Sequence, residues 1–242
     1  MSDYYPRSAR YAETDVGLRN FMVGTYRYMA MAMAVSGAVA YFFAQYLAAN
    51  PGLIQALFGN WIVPVLLFVG VIVAFNVIGG KIQSMSRGAM LTFLFCMAAV
   101  LGLFSAPVAI FYDPVMVAKI FFMTTALFAS LSLFGYTTRH NLWAYAKYAI
   151  PVFLGLIVLM FLGAIFPAFA MGGIFEIVVL VVMLIALSVI IAFQTQTLKD
   201  TYYSTAGDAA LQENVSIFGA TSLLLSFYNM FQILLSLFGS SE

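Results

Sequence analysis

Long uncharged, strongly apolar stretches alternate along the chain with short segments that hold its charges. Residues 28–80 carry no charge, and the sequence Asn50-Pro51-Gly52 near their middle is a turn signal, so this stretch predicts two helices. The other long uncharged stretches are each near or above the roughly 20 residues that a helix needs to cross about 30 Å of hydrocarbon. The pattern predicts seven membrane-spanning helices, at about 22–48, 61–81, 88–111, 116–137, 147–170, 173–195 and 216–238.

The apolar stretches are continuous rather than alternating, as in EIVVLVVMLIAL at 176–187. Backbone N–H and C=O groups in hydrocarbon must be hydrogen-bonded within the protein, which only helices and closed barrels achieve. Barrel strands alternate over about ten residues, and that pattern is missing here. The sequence therefore predicts an all-α membrane protein, with a polar, cytoplasmic N-terminal tail at 1–20 and a seven-helix domain at 21–239.

Composition supports the same class. Hydrophobic residues make up 64% of the 242 residues and charged residues 8%, whereas a soluble domain carries roughly 25% charge. Such a chain cannot cover a surface that faces water, so its natural surroundings are the lipid bilayer. The net charge of +1 indicates no polyanionic partner, which excludes a nucleic-acid-binding protein.

The basic residues predict the orientation. Nine of the ten lie in the N-terminal tail, in the loops near 82–87, 138–146 and 196–215, or at the adjoining helix ends. With seven spans, all these segments fall on one side of the membrane, and Lys119 is the exception. Because positive residues stay in the cytoplasm, we expect the N-terminus inside and the C-terminus outside.

Few polar groups are predicted inside the membrane, where they are costly to bury. Lys81 ends the second span, as an interfacial anchor or as part of a gate. Lys119 and Glu176 both lie at outer helix ends, and we expect that they form an ion pair. A small, weakly polar stripe on the seventh span should face the bundle interior, either for close packing or as a cavity wall. Its members are Gly219, Ser222, Ser226, Asn229 and Ser236.

The sequence contains few other candidate residues for catalysis, ligand binding or proton transfer. Glu176 and Gln194 share one face of the sixth span, about 27 Å apart, but the residues between them are apolar and cannot pass a proton. No metal-ligand cluster, glycine-rich phosphate loop or nucleophile motif is present in the sequence. We therefore expect neither an enzyme nor a protein with a metal or other cofactor.

Segments at four of the predicted spans resemble the bacterial Bax inhibitor-1 family, in the same order along the whole chain. The first helix is entered through DVGLRNFM at 15–22 and TYRYMA at 25–30, and the fourth ends in LFGYTTR at 133–139. The sixth ends in TQTLK at 195–199. The seventh contains LLLSFYNMF at 223–231 and closes with LFG at 237–239.

The resemblance implies six helices around a central seventh, in the inner membrane of a bacterium. Family members are described as pH-sensitive calcium leak channels, as suppressors of cell death in eukaryotes, and in bacteria as modulators of a membrane-bound protease. Their mechanism rests on two intramembrane aspartates that share a proton, so that one pKa rises and protonation biases a gate. A basic residue commonly ends the second helix of the family, and Lys81 falls at that position.

The chain departs from the family at both aspartates. The family reads Tyr-Asp-Thr-Gln where this chain has Gln194 in second place, and Leu-Tyr-Leu-Asp-Phe where it has Ser226 in fourth place. Neither an amide nor a hydroxyl titrates near neutral pH, and neither gives Ca²⁺ the anionic oxygen it prefers. We expect the fold to be kept and the pH gate to be lost.

Two functions remain open. The first is a divergent leak channel or small-ion pathway lined by Lys81, Gln194, Ser226 and Asn229, with calcium bound weakly at most. The second is a non-conducting protein that modulates a membrane protease or another membrane partner. The missing carboxylates weaken the first function, and no feature of the sequence specifically supports the second.

The orientation leads to a first prediction. A tag placed after Glu242 should be accessible to antibody from outside intact spheroplasts, and a tag before Met1 only after the membrane is permeabilised. A C-terminal tag that is reached only from the cytosol would contradict both the span count and the orientation.

Overall fold

The computed structural model of the chain describes residues 7–59, 62–166 and 172–239. In these residues the regular secondary structure is helical. The eight helices are α1 (Arg7–Ala49), α2 (Pro51–Phe58), α3 (Ile62–Gly79), α4 (Arg87–Phe111), α5 (Pro114–Thr137), α6 (Trp143–Ile165), α7 (Gly173–Ser204) and α8 (Ala209–Phe238).

The all-α prediction is confirmed, and each predicted span corresponds to one helix. Six described helices, α1 and α4–α8, are long and apolar enough to cross a membrane, and α3 is a shorter apolar helix. With 18 residues, α3 is about 27 Å long, close to the thickness of the hydrocarbon layer. The predicted start of the second span at 61 and end of the fifth at 170 lie outside the described residues.

The additional helix, α2, lies in the predicted loop between the first two spans. Asn50-Pro51-Gly52 does end α1, but Asn50 occupies the position before a new helix and Pro51 its first turn. The fixed φ angle of proline suits the first helical turn, where its missing N–H costs nothing. The turn signal was thus also a helix start.

Three helices extend at least seven residues past their predicted spans, all at the same end of the bundle. Helix α1 begins at Arg7, α7 continues to Ser204, and α8 begins at Ala209. Between α7 and α8 the chain turns at Gly207, whose φ of 101° favours glycine, and Asp208 caps α8 through the Leu211 N–H. We call this end, with loops 80–86, 138–142 and 205–208, the basic end.

Helix α8 forms the centre of the bundle, as predicted. Four consecutive residues near its start, Asn214–Ile217, are buried, and consecutive positions on a helix point in all directions. It packs against α1, α4, α5 and α7, and its Phe218 ring lies 5.6 Å from the Phe75 ring of α3. By contrast, α6 buries only Ala146 and Phe153, so most of its surface is left for lipid.

The other spans form a ring around α8. Helices α1 and α4 pack closely, and Phe93 of α4 meets Phe75 of α3 with ring centroids 5.5 Å apart. Phe68 of α3 meets Phe161 of α6 at 5.1 Å, and α6, α7 and α5 pack in succession. The ring does not close tightly between α5 and α1, where a groove separates the two helices.

Small residues allow the closest helix contacts. A Cβ atom added at Gly102 of α4 would lie 2.5 Å from the Ser36 carbonyl oxygen and 2.8 Å from Cβ of Val39, both in α1. Helices in membranes associate through such close packing, because lipid tails are as apolar as the side chains they replace. Gly102 therefore sets the distance between α1 and α4.

We expect Gly102→Ala to lower stability, by about 1–3 kcal/mol, because the backbone of α1 must move away. Gly155→Ala in α6 is the matched control, since nothing lies within 4 Å of its added Cβ. That control should be neutral or gain about 0.5–1 kcal/mol from better helix propensity. Thermal unfolding in detergent measures both, and equal melting temperatures for the two variants would contradict the packing role of Gly102.

Candidate functional site

The two positions at which the resemblance implies aspartates meet in the bundle interior. The Ser226 hydroxyl in α8 donates a hydrogen bond to Oε1 of Gln194 in α7, with the two oxygens 2.9 Å apart. Ser226 is buried and Gln194 is half-buried. The contact joins two neutral groups where the resemblance implies two carboxylates. We call it the neutral pair.

A cavity of about 210 Å³ lies on the other side of the neutral pair from the basic end, between α3, α6, α7 and α8. Asn229, Gln232 and Ser236 of α8 give it polar wall groups, while Met183 and Phe161 are among its apolar ones. Asn229 is one helical turn from Ser226. The cavity thus places polar groups in an apolar wall next to the neutral pair.

The predicted polar stripe on α8 faces the bundle interior over most of its length. Gly219 and Ser226 are buried, Ser222 and Asn229 are half-buried, and Ser236 is exposed near the helix end. A Cβ atom at Gly219 would collide with the Leu198 side chain of α7. Both uses considered from the sequence, close packing and a cavity wall, thus occur along one stripe.

Lys81 does not join the other candidate residues. It is exposed in the turn after α3, where its carbonyl oxygen accepts a hydrogen bond from Met85 N–H. Asn214 of α8 holds this turn, and Ser226 lies 12 residues further along α8, about 18 Å away. A lysine side chain cannot cover that distance, so Lys81 lies at the basic end of the bundle, apart from the neutral pair.

The expected ion pair between Lys119 and Glu176 is absent, and that expectation was wrong. Both side chains are exposed, and the salt bridge found among the described residues is Arg87–Glu213. The reason is register: α5 and α7 are in contact where the Ser132 and Thr195 hydroxyls lie 3.2 Å apart. Lys119 is 13 residues from that contact and Glu176 is 19, an offset of about 9 Å along the helices.

Gln196 and Lys199 of α7 hold the end of α5 and the loop that follows it. The buried Gln196 amide donates to the His140 carbonyl at 2.8 Å and accepts from the Leu142 N–H at 2.9 Å. Lys199 Nζ donates to the Tyr136 carbonyl at 2.9 Å, where α5 ends and exposes unpaired carbonyls. These two side chains form what we call the α7 clamp.

The α7 clamp connects two of the sequence segments on which the resemblance rests, 133–139 and 195–199. Close approach of the helices assists it, because a Cβ atom at Gly135 would collide with the Ala192 carbonyl of α7. Gln194 and Gln196 are two positions apart and so point to opposite sides of α7. One helix segment thus contributes to both the neutral pair and the α7 clamp.

Further contacts at the basic end join α1, α4 and α8. Glu213 Oε1 lies 2.8 Å from Arg87 Nε and accepts a hydrogen bond from the Tyr28 hydroxyl at 3.0 Å. The buried hydroxyls of Thr25 and Ser216 are 2.8 Å apart. None of these residues was singled out from the sequence, although opposite charges at the starts of two helices were a usable signal for Arg87 and Glu213.

Comparison with known proteins shows the family of the chain. Residues 18–242 match the family model described as inhibitor of apoptosis-promoting Bax1. The chain belongs to the Bax inhibitor-1 family. An uncharacterized protein of Caulobacter vibrioides is 33% identical over 232 residues, covering 94% of this chain and 91% of the relative.

Two more relatives of this Bax inhibitor-1 family protein match almost end to end. The inner membrane protein YbhL of Escherichia coli is 26% identical over 239 residues, covering 98% of this chain and 99% of YbhL. The uncharacterized protein RP147 of Rickettsia prowazekii is 26% identical over 226 residues, covering 93% and 92%. The likeness therefore includes the whole membrane domain and both segments of the α7 clamp.

The α7 clamp gives a prediction that does not depend on transport. Gln196→Leu keeps the side-chain size but leaves the Leu142 N–H and the His140 carbonyl without their partner. Each lost partner costs about 1–3 kcal/mol, so the melting temperature should fall and trypsin should cut faster after the exposed Arg139. Thr197→Ala, an exposed neighbour on α7, is the control and should change neither. Unchanged proteolysis in Gln196→Leu would show that the clamp does not hold this loop.

Proposed function

We propose that this Bax inhibitor-1 family protein provides a small-ion leak pathway that is closed in the present conformation and does not respond to pH. The observation that carries the proposal is the hydrogen bond between Ser226 and Gln194. It lies between α7 and α8, at the positions where the family resemblance implies a pair of aspartates that responds to protons. Here the same place holds an amide and a hydroxyl, neither of which titrates near neutral pH.

The hydrogen bond of the neutral pair is too weak to keep the pathway closed without the packing of α7 against α8. An interhelical hydrogen bond between neutral side chains in a membrane contributes only about 0.6 kcal/mol. Such a bond opens readily by itself, but buried apolar residues on both helices, such as Leu187 and Leu223, keep α7 and α8 together. Opening therefore depends on helix packing, and the neutral pair itself has no group that titrates near neutral pH.

The cavity at Asn229 supports a pathway that approaches the neutral pair from the end opposite the basic end. Its polar groups reach to within one helical turn of Ser226, and the cavity is large enough to hold water. Calcium should pass weakly, because amides and hydroxyls lack the negative charge that Ca²⁺ sites use. Lys81 belongs to the basic end of such a pathway and not to the neutral pair.

We further propose the inner membrane of a bacterium as the location, with the N-terminus in the cytoplasm. The support is the similarity to YbhL, an inner membrane protein that this chain matches over nearly its full length. Helix α6 adds to it with Trp143, Tyr145 and Tyr148, exposed aromatic residues near the basic end of the kind that seat a helix at a membrane interface.

Calcium flux into liposomes from pH 6 to pH 8 tests the proposal. The wild-type protein should leak at a rate that changes by less than about two-fold, since neither group of the neutral pair titrates in this range. The double variant Gln194→Asp, Ser226→Asp should change by up to about ten-fold. Two adjacent carboxylates share a proton, and one of them then titrates near neutral pH.

Ala210→Asp is the matched control, because it adds one carboxylate to an exposed position of the same helix that does not line the cavity. It should leave the flux independent of pH. A calcium flux through the wild-type protein that changes steeply with pH would contradict the proposed insensitivity of the neutral pair to pH. Absence of calcium flux in the wild-type protein would contradict a calcium leak, and co-purification of a membrane protease would then favour the alternative of a non-conducting modulator.

A further inference from the structure

The groove between α1 and α5 has no partner in the fold. It has a volume of about 660 Å³, within the usual range of ligand sites. Its two walls are α1, from Arg19 to Met33, and α5, from Phe121 to Tyr136, and Phe227 of α8 forms its floor. A second space of about 260 Å³ continues it past Met33 towards Tyr41, away from the basic end.

The chemistry of the groove changes along its length. Most of the wall is apolar, with Met22, Met29, Phe128 and Leu133 among its side chains. Polar and charged groups gather where the groove reaches the basic end. They are Arg19, Tyr26 and Tyr136. Arg19 is exposed and forms no ion pair with another described residue.

The dimensions match one leaflet of a bilayer. Arg19 and Met33 are 14 residues apart on α1, about 21 Å along the helix. One leaflet has about 15 Å of hydrocarbon, half of the roughly 30 Å of a bilayer, with the headgroups outside it. A lipid whose phosphate lies at Arg19 would therefore place its acyl chain along the apolar wall of the groove.

An empty groove of this kind is unfavourable in a membrane. Its apolar side chains would lose the van der Waals contacts that close packing provides elsewhere. Water does not fill it well, because the wall offers few hydrogen-bonding partners. A flexible hydrocarbon chain restores these contacts, and the positive charge at the mouth selects a negatively charged headgroup.

We propose that the groove between α1 and α5 binds one anionic phospholipid, with an acyl chain between the two helices and the phosphate at Arg19. Neither residue of the neutral pair lines the groove, and the proposal does not depend on ion conduction. A lipid supplied by the membrane would fill the loosely packed seam between α1 and α5.

Native mass spectrometry of the full chain in detergent tests the site. The probes are phosphatidylglycerol and phosphatidylcholine with the same acyl chains. The wild-type protein should retain phosphatidylglycerol about five-fold more tightly, the preference expected from one basic residue near a membrane surface. Arg19→Gln should remove this preference and leave the binding of phosphatidylcholine unchanged.

Two controls separate the site from general effects. Arg27→Gln removes an exposed arginine of α1 that does not line the groove, and it should keep the five-fold preference. Ala129→Trp places a bulky ring in the groove and should weaken both lipids. Ala126→Trp changes an exposed alanine of α5 outside the groove and should weaken neither.

Three results would overturn the proposal. The first is equal retention of the two lipids by the wild-type protein, and the second is an equal loss of preference in Arg19→Gln and Arg27→Gln. The third is a lipid-free dimer that Ala129→Trp converts to a monomer, since a second copy of the chain would then fill the groove.

Discussion

The interior of a bilayer offers a protein no water, so each polar group there must find its partner within the protein. Serine and threonine hydroxyls of this chain mostly bond to the carbonyl one turn back in their own helix, as Thr124 does to Ile120 and Ser188 to Leu184. Within the described residues, no buried side-chain nitrogen or oxygen lacks a partner. The few hydroxyls and amides that bond to another helix therefore determine which helices are joined and in what register.

This constraint explains why the neutral pair is compatible with the Bax inhibitor-1 fold. An aspartate at the centre of a membrane helix costs about 2.5–3.5 kcal/mol on insertion scales, and an amide or hydroxyl costs less. Gln194 and Ser226 still occupy facing positions and still connect α7 to α8. What changes is the free-energy difference between protonation states, which is the quantity that a pH gate requires. Neutral side chains can therefore join α7 to α8 at the positions where the resemblance implies a titratable pair.

The spans could be predicted because a charge in hydrocarbon is so costly that the intervals between charges mark the helices. The ends of α7 and α8 could not, since a helix continues past its apolar run until a residue such as Gly207 turns the chain. Which side chains meet depends on helix rotation and register. Gln194 and Ser226 were found because the family resemblance names their positions, whereas opposite charge alone wrongly paired Lys119 with Glu176.

The two ends of the bundle are held in different ways. At the basic end, the α7 clamp ties α7 to α5, Asn214 ties α8 to the α3–α4 loop, and Glu213 ties α8 to α4. Beyond the neutral pair, aromatic contacts such as Phe68–Phe161 and the cavity at Asn229 replace these directional bonds. Hydrogen bonds between helices fix their relative register. Apolar contacts between helices can be replaced by contacts with lipid acyl chains at a small cost in free energy. Helix movement that widens the cavity is therefore opposed less than movement that breaks the hydrogen bonds and the salt bridge of the basic end. The neutral pair lies between the cavity and the basic end.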